Sequence, residues 1–144
     1  MLGRYKEALN IYKTIERYDA WINNEFAYCY GELDQYHKSI KYYLKAIDVD
    51  PQNTFALTRL SWTYGRIKEH EKAIEYLVQC LEILRPSAWL FGQFAYNYYH
   101  LGNLKKANEY IKNALEMSEN DQWLNDLNEK IIEKMKKPKI FRKY

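Results

Sequence analysis

Apolar side chains return at helical intervals along most of the chain, as in Phe26, Tyr30 and Leu33 and then Tyr36, Ile40, Tyr43 and Ile47, with a break near Gly31 to Asp34. That spacing predicts pairs of amphipathic helices joined by tight turns. Extended along the chain, the pattern predicts helices over 3–17, 20–32, 35–49, 54–66, 69–84, 88–100, 103–117 and 122–137. Starts are marked independently by Asp19, Asn53, Ser87 and Asp121, whose side-chain oxygens can accept from free backbone N–H groups of a first turn. Pro51 and Pro86 stand just before two of these caps, where they stop one helix without breaking the next.

The caps recur with a period of 34, and so do the aromatic residues Trp21, Phe55, Trp89 and Trp123. Further columns keep the same period: Phe26, Leu60 and Phe94; Ala27, Ser61 and Ala95; Tyr30, Tyr64 and Tyr98; Ser39, Ala73 and Ala107; Tyr43, Leu77 and Ile111; Ala46, Cys80 and Ala114. A fixed period of this length builds a stack of supersecondary units, each packing on its neighbours, and places function on a shared surface rather than in one closed cleft.

The runs Phe26, Ala27, Tyr30, Tyr36, Ser39, Tyr43, Ala46, Pro51 and Phe94, Ala95, Tyr98, Gly102, Leu104, Ala107, Ile111, Ala114 resemble the tetratricopeptide repeat, over nearly the whole chain. The resemblance implies an all-α fold, a right-handed superhelical solenoid of antiparallel helix pairs. Small residues there let paired helices approach while large ones fill the groove between them. A period of 34 rather than 35 sets the chain apart from the RNA-reading pentatricopeptide array. Where the family carries an early Trp, this chain has Asn23, Leu57 and Phe91, and its aromatic column lies two positions earlier.

The expected organisation is a half repeat at 1–18 consisting of a second helix only, repeats at 19–52, 53–86 and 87–120, a capping helix at 121–137 and a basic tail at 138–144. In the half repeat, Gly3, Tyr5, Ala8, Tyr12 and Ile15 precede their equivalents by three positions fewer than the full period, which shortens the loop to Asp19. A lone second helix leaves a face uncovered, as in a piece of a longer array, and makes self-association through the N-terminal face one expectation. The last helix carries Leu127, Ile131 and Met135 beside Asn125, Glu129 and Glu133, the pattern of a solvating terminal helix.

Charge and chemistry narrow the picture further. Residues 129–144 hold seven Lys or Arg against Glu129 and Glu133, a local +5 in a chain of net +3, so the rest carries −2. A basic tail with Phe141 and Tyr144 is the one feature that would suit RNA, but Glu25 and Glu32 interrupt any continuous phosphate track. Cys29 and Cys80 fall in different repeats, Cys80 at an alanine packing position, and read as buried thiols. No apolar run reaches the roughly 20 residues that span a bilayer and no secretory signal is visible, so the expected location is cytoplasmic. His37, His70 and His100 share no metal-ligand spacing, and neither a phosphate-cradling glycine run nor a nucleophile elbow occurs. No catalytic residue, metal or cofactor is expected.

The resemblance places the first helix of each pair along a concave groove. The expected partner-binding residues there are Trp21, Asn24 and Tyr28, then Phe55, Arg59, Trp62 and Arg66, then Trp89, Tyr96 and Tyr99, with Glu25, Thr58, Gly92 and Gln93 nearby. Rigid rings suit the anchoring of a protein or peptide segment. The i, i+3, i+7 spacing of Arg59, Trp62 and Arg66 is expected to put two guanidiniums beside one indole and to receive carboxylate. The family's two-carboxylate clamp needs Lys and Asn in columns that here hold Asn24, Thr58 and Gly92, and Tyr28, Trp62 and Tyr96, so chaperone-tail recognition is not implied.

Overall fold

A computed structural model describes residues 1–15 and 19–137. Among the described residues the secondary structure is entirely helical: α1 (Leu2–Tyr12), α2 (Ala20–Glu32), α3 (Tyr36–Val49), α4 (Thr54–Arg66), α5 (His70–Ile83), α6 (Ala88–His100), α7 (Leu104–Met117) and α8 (Gln122–Lys136). All but α1 lie within one position of the boundaries read from periodicity. The exception, α1, was expected to reach residue 17. Its ladder tightens early, with Thr14 N–H donating to Ile11 O and Ile15 N–H to Tyr12 O, while the Thr14 hydroxyl also claims Ile11 O at 2.6 Å. Residues 16–18 and the basic tail at 138–144, including Phe141 and Tyr144, lie outside the described residues.

The expected caps form. Asp19, Asn53, Ser87 and Asp121 accept from Ile22, Ala56, Leu90 and Leu124 N–H at 3.0–3.2 Å. Turns inside the pairs share a second device. The N–H groups of Gln35, Glu69 and Asn103 each reach back to the carbonyl of Tyr30, Tyr64 or Tyr98. This closure requires a left-handed residue after the helix. Gly102 fills it at φ 78°, but Asp34 (57°) and Lys68 (65°) fill it with side chains that resist that conformation. Lys68→Gly is therefore expected to raise unfolding free energy by about 1 kcal/mol, read from chemical denaturation; an unchanged or lower value would show that the turn is unstrained.

The fold divides into two compact units, Met1–Leu84 and Arg85–Tyr144. In the first, α2 pairs with α3 and α4 with α5, while α1 lies on α2, α3 on α4, and α2 also touches α4. Ala27, Ala46, Ala56 and Ala73 are fully buried among Tyr43, Leu60 and Tyr64, so the small-residue columns do mark close approach of backbones. Ser39 stands in the same column as Ala73 and Ala107, and its hydroxyl is satisfied by Ala27 O at 2.7 Å. A second cluster joins Leu9 of α1 to Ile22, Phe26 and Cys29 of α2. On α1 and at its C-cap, Lys6, Glu7, Asn10 and Lys13 are exposed together with Leu2 and Ile11.

The second unit packs α6, α7 and α8 around Ala95, Ala107, Ile111, Ala114, Leu124, Leu127 and Ile131. The apolar stripe of α8 differs from the one expected: Leu124, Leu127 and Ile131 face inward, whereas Met135 is 48% exposed. Near its N-terminal end α8 closely approaches α6. A Cβ added to Gly92 would lie 2.6 Å from both Leu124 Cδ2 and Trp123 Cζ3.

One packing device recurs in both units. Tyr30 and Tyr42, Tyr64 and Tyr76, and Tyr98 and Tyr110 stack at 5.5–5.7 Å with ring planes within 15°. Lys38, Lys72 and Lys106 lie over Tyr30, Tyr64 and Tyr98 at 5.4, 5.6 and 5.0 Å. Each set clips the two helices of one pair together through ring stacking and a cation–π contact.

Candidate binding face

In the first unit the residues of α2 and α4 left over from packing form one face. Arg59 is exposed on α4, and its guanidinium carbon sits 5.4 Å from the ring of Tyr28 on α2 and 5.6 Å from that of Phe55. Phe55, 43% exposed, leans edge-on against buried Tyr43. Burial pushes the Tyr43 phenol well above its usual range, with the Arg59 charge pulling the other way, so it remains a neutral hydroxyl. Further along α4, Arg66 lies 5.6 Å from the Trp62 ring and 6.0 Å from Tyr36 of α3, and Tyr36 meets Trp62 edge-on at 6.3 Å.

The guanidiniums therefore do not flank one indole. Arg66 attends Trp62, and Arg59 turns toward α2, because the tyrosine supplied by the neighbouring helix is a second ring that helical spacing on α4 alone cannot reveal. No described carboxylate forms an ion pair with Arg59. Trp21 is 57% exposed and packs edge-on against Tyr12 of α1.

Asn24 is 7% exposed, not a free groove side chain, and its amide N–H donates to Asn53 Oδ1 at 3.2 Å while its own Oδ1 has no protein partner. It ties α2 to the N-terminus of α4. Asn23, in the column where the family has Trp, is also buried and its amide donates to Asp19 O at 2.9 Å.

The second unit holds the remaining expected positions. Trp89 is 43% exposed at the start of α6. Tyr96 packs on His100 at 4.4 Å and Trp123 at 6.4 Å, and Tyr99 carries Lys134 over its ring at 4.6 Å. Gly92 and Gln93, expected near the open groove, are buried. Rings of α6 and α8, with Asp126 and Lys130, border a recess of about 310 Å³.

Both cysteines are buried thiols. Desolvation raises Cys80 to about 11; Cys29 is also raised, by burial first and then by Glu25 and Glu32. Among the described residues no cluster of His, Cys, Asp and Glu could hold a metal ion, and no helix is long and apolar enough to cross a membrane.

Profiles of the tetratricopeptide repeat match residues 18–85 and 90–121. The chain belongs to the tetratricopeptide repeat family. Solved structures agree on the fold. The first such domain of Spaghetti (RPAP3), solved bound to an HSP90 peptide, SRMEEVD, is 22% identical with a TM-score of 0.75, over 81% of this chain and 92% of that one. MamA from Desulfovibrio magneticus RS-1 is 18% identical with a TM-score of 0.79, over 92% and 82%. A chain of the APC/C hetero-tetramer Cut9–Hcn1 reaches 0.84 at 16% identity, over 94% of this chain and 26% of that one. No curated protein sequence matches significantly.

Proposed function

We propose that the chain is a protein-interaction module, a binding scaffold without catalytic chemistry, in which the α2–α4 face takes up a segment of a partner protein. The observation that carries this reading is Arg59, an exposed guanidinium pinned over the Tyr28 and Phe55 rings with no described carboxylate paired to it. Planar cations held in this way keep their N–H edges for a carboxylate, while the rings offer rigid apolar area beside it. The partner segment accordingly presents an acidic side chain or C-terminus next to apolar anchors, and Trp21, Trp62 and Arg66 extend the same face. Trp89, Tyr96 and Tyr99 are the corresponding positions of the second unit. The repeat organisation that frames them is the half repeat at 1–18, the repeats at 19–52, 53–86 and 87–120, the helix at 121–137 and the tail at 138–144.

The Spaghetti domain shares the fold and carries an acidic peptide. Here the positions of the family's clamp hold Asn24, tied to Asn53, and Tyr28, covered by Arg59, so acid is met by a stacked arginine on α4 instead. A display library of acidic, aromatic-containing peptides, ranked by fluorescence anisotropy, tests the reading. The double change Arg59→Ala plus Arg66→Ala should weaken the selected peptides at least about 10-fold, with affinity falling as salt rises. Unchanged affinity in the double variant would remove this face as the site.

A further inference from the structure

Beside the α2–α4 face, between α1 and α2, the first unit has an open cavity of about 240 Å³. Tyr5, Tyr12 and Arg4 line it from α1, and Glu25, Tyr28 and Cys29 from α2. Tyr5 meets Tyr28 edge-on at 6.1 Å, and the Tyr12 hydroxyl donates to Glu25 Oε2 at 2.9 Å. Glu32 lies on the same stripe of α2, since 25, 28 and 32 are spaced i, i+3, i+7. Its charge reaches Tyr5 and Cys29. The Tyr5 hydroxyl is held above its ordinary range by Tyr28 first, then by burial and Glu32. Burial and Glu25 together push Tyr12 up to about 12. Neither Glu25 nor Glu32 is ion-paired with a described basic side chain.

We infer that this cavity receives a lysine-like cationic side chain of the segment bound on the α2–α4 face, a deepening that rests on the reading of that face given above. Three tyrosine rings and the Glu25 carboxylate in the lining, with Glu32 further along α2, form an environment in which an ammonium is favoured over an apolar group. An apolar occupant would shield the Glu25 carboxylate from water and give it nothing in return, whereas a cation compensates it. The same fold shows the preference of its tyrosines for cations at Lys38, Lys72 and Lys106. Tyr28 belongs to both sites: Arg59 lies over its ring from α4, and the ring borders the cavity on the side of α1. A segment crossing Tyr28 thus meets a receptor for acid toward α4 and a receptor for base toward α1, which sets the direction in which it binds. Arg4 and Met1, which carries the amino group of the chain, also belong to the lining, and both oppose an incoming cation.

Tyrosine ring resonances of the full chain, titrated with N-acetyl-lysine amide and with N-acetyl-norleucine amide, test the assignment. The expected result is a saturable shift at Tyr5, Tyr12 and Tyr28 with the lysine probe and at least fivefold weaker binding of the norleucine probe. Glu25→Gln, whose amide oxygen can still accept from Tyr12, should reduce the lysine response at least fivefold. Glu32→Gln, at an exposed position, should reduce it without touching the core, and Arg4→Gln should strengthen it. No saturable shift, an equal response to norleucine, or a response that survives Glu25→Gln plus Glu32→Gln overturns the inference. Peptides that bind in an Arg59-dependent way to a chain showing no lysine response would defeat the cavity assignment alone, leaving the face intact.

Discussion

Phe94→Ala is expected to cost about 3–5 kcal/mol of stability in the second unit. Phe94 is 1% exposed and stacks on Tyr110 at 4.7 Å and on Tyr98 at 6.4 Å, so truncation empties the centre of the ring stack joining α6 to α7. The loss combines transfer of a whole phenyl ring with a cavity that cannot collapse, because Ala95 and Ala107 already hold the two backbones at closest approach. Among the described residues the unit consists of α6, α7 and α8, so the change should unfold it at moderate urea. Trp89 and Trp123 report on it if Trp21 and Trp62 are replaced by Phe. Tyr98→Ala, which removes a half-buried ring from the same stack, should cost distinctly less. A shift below about 1 kcal/mol for Phe94→Ala would mean that the stack is not what joins the helices.

Asn53→Ala should be nearly as damaging, at about 2–4 kcal/mol, although it removes only a small polar group. Asn53 Oδ1 accepts from Ala56 N–H at 3.0 Å as the cap of α4 and from the Asn24 amide at 3.2 Å. Alanine therefore deletes a cap and strands a buried amide whose oxygen already has no protein partner. Ser87→Ala, which removes a cap and nothing more, gives the reference of about 1 kcal/mol. Asn53→Asp keeps both acceptor contacts and should be close to neutral. In the Asn24→Ala background the cost of Asn53→Ala should fall toward that of Ser87→Ala, since no amide is left to strand. Equal costs for Asn53→Ala and Ser87→Ala in the wild-type background would show that the Asn24 contact contributes nothing.

These two residues also mark how far the chain can be read from its order of amino acids. Phe94 falls in a column that recurs in every repeat and Asn53 in the capping column, and both roles are legible because a repeat states each local rule several times over. The same period runs through Tyr42, Tyr76 and Tyr110 and through Lys38, Lys72 and Lys106, yet the sequence does not disclose what they do. Those residues look like solvated positions of the second helix until the first helix supplies the ring on which they stack. Met135 fits the apolar stripe of α8 by spacing, yet it lies past the core formed with α6 and α7 and stays 48% exposed, while Leu124, beside Gly92 near the other end, is buried.

The candidate site divides in the same way. Exposed aromatic residues at the start of each first helix follow from the column of Trp21, Phe55, Trp89 and Trp123, which is 57%, 43%, 43% and 41% exposed in turn. That Asn24 is spent on the neighbouring cap, that Arg59 leaves Trp62 for Tyr28, and that Glu25 borders a tyrosine-lined cavity with Tyr12 are all facts of contact between one helix and another. Helix identity, register, caps and turn geometry are short-range properties, set over a few neighbouring positions by backbone hydrogen bonding and side-chain spacing, and repetition makes them readable. Partner choice among side chains is set by which surfaces meet when helices pack, and a side chain on one helix is indifferent between solvent, ring and carboxylate until the next helix arrives.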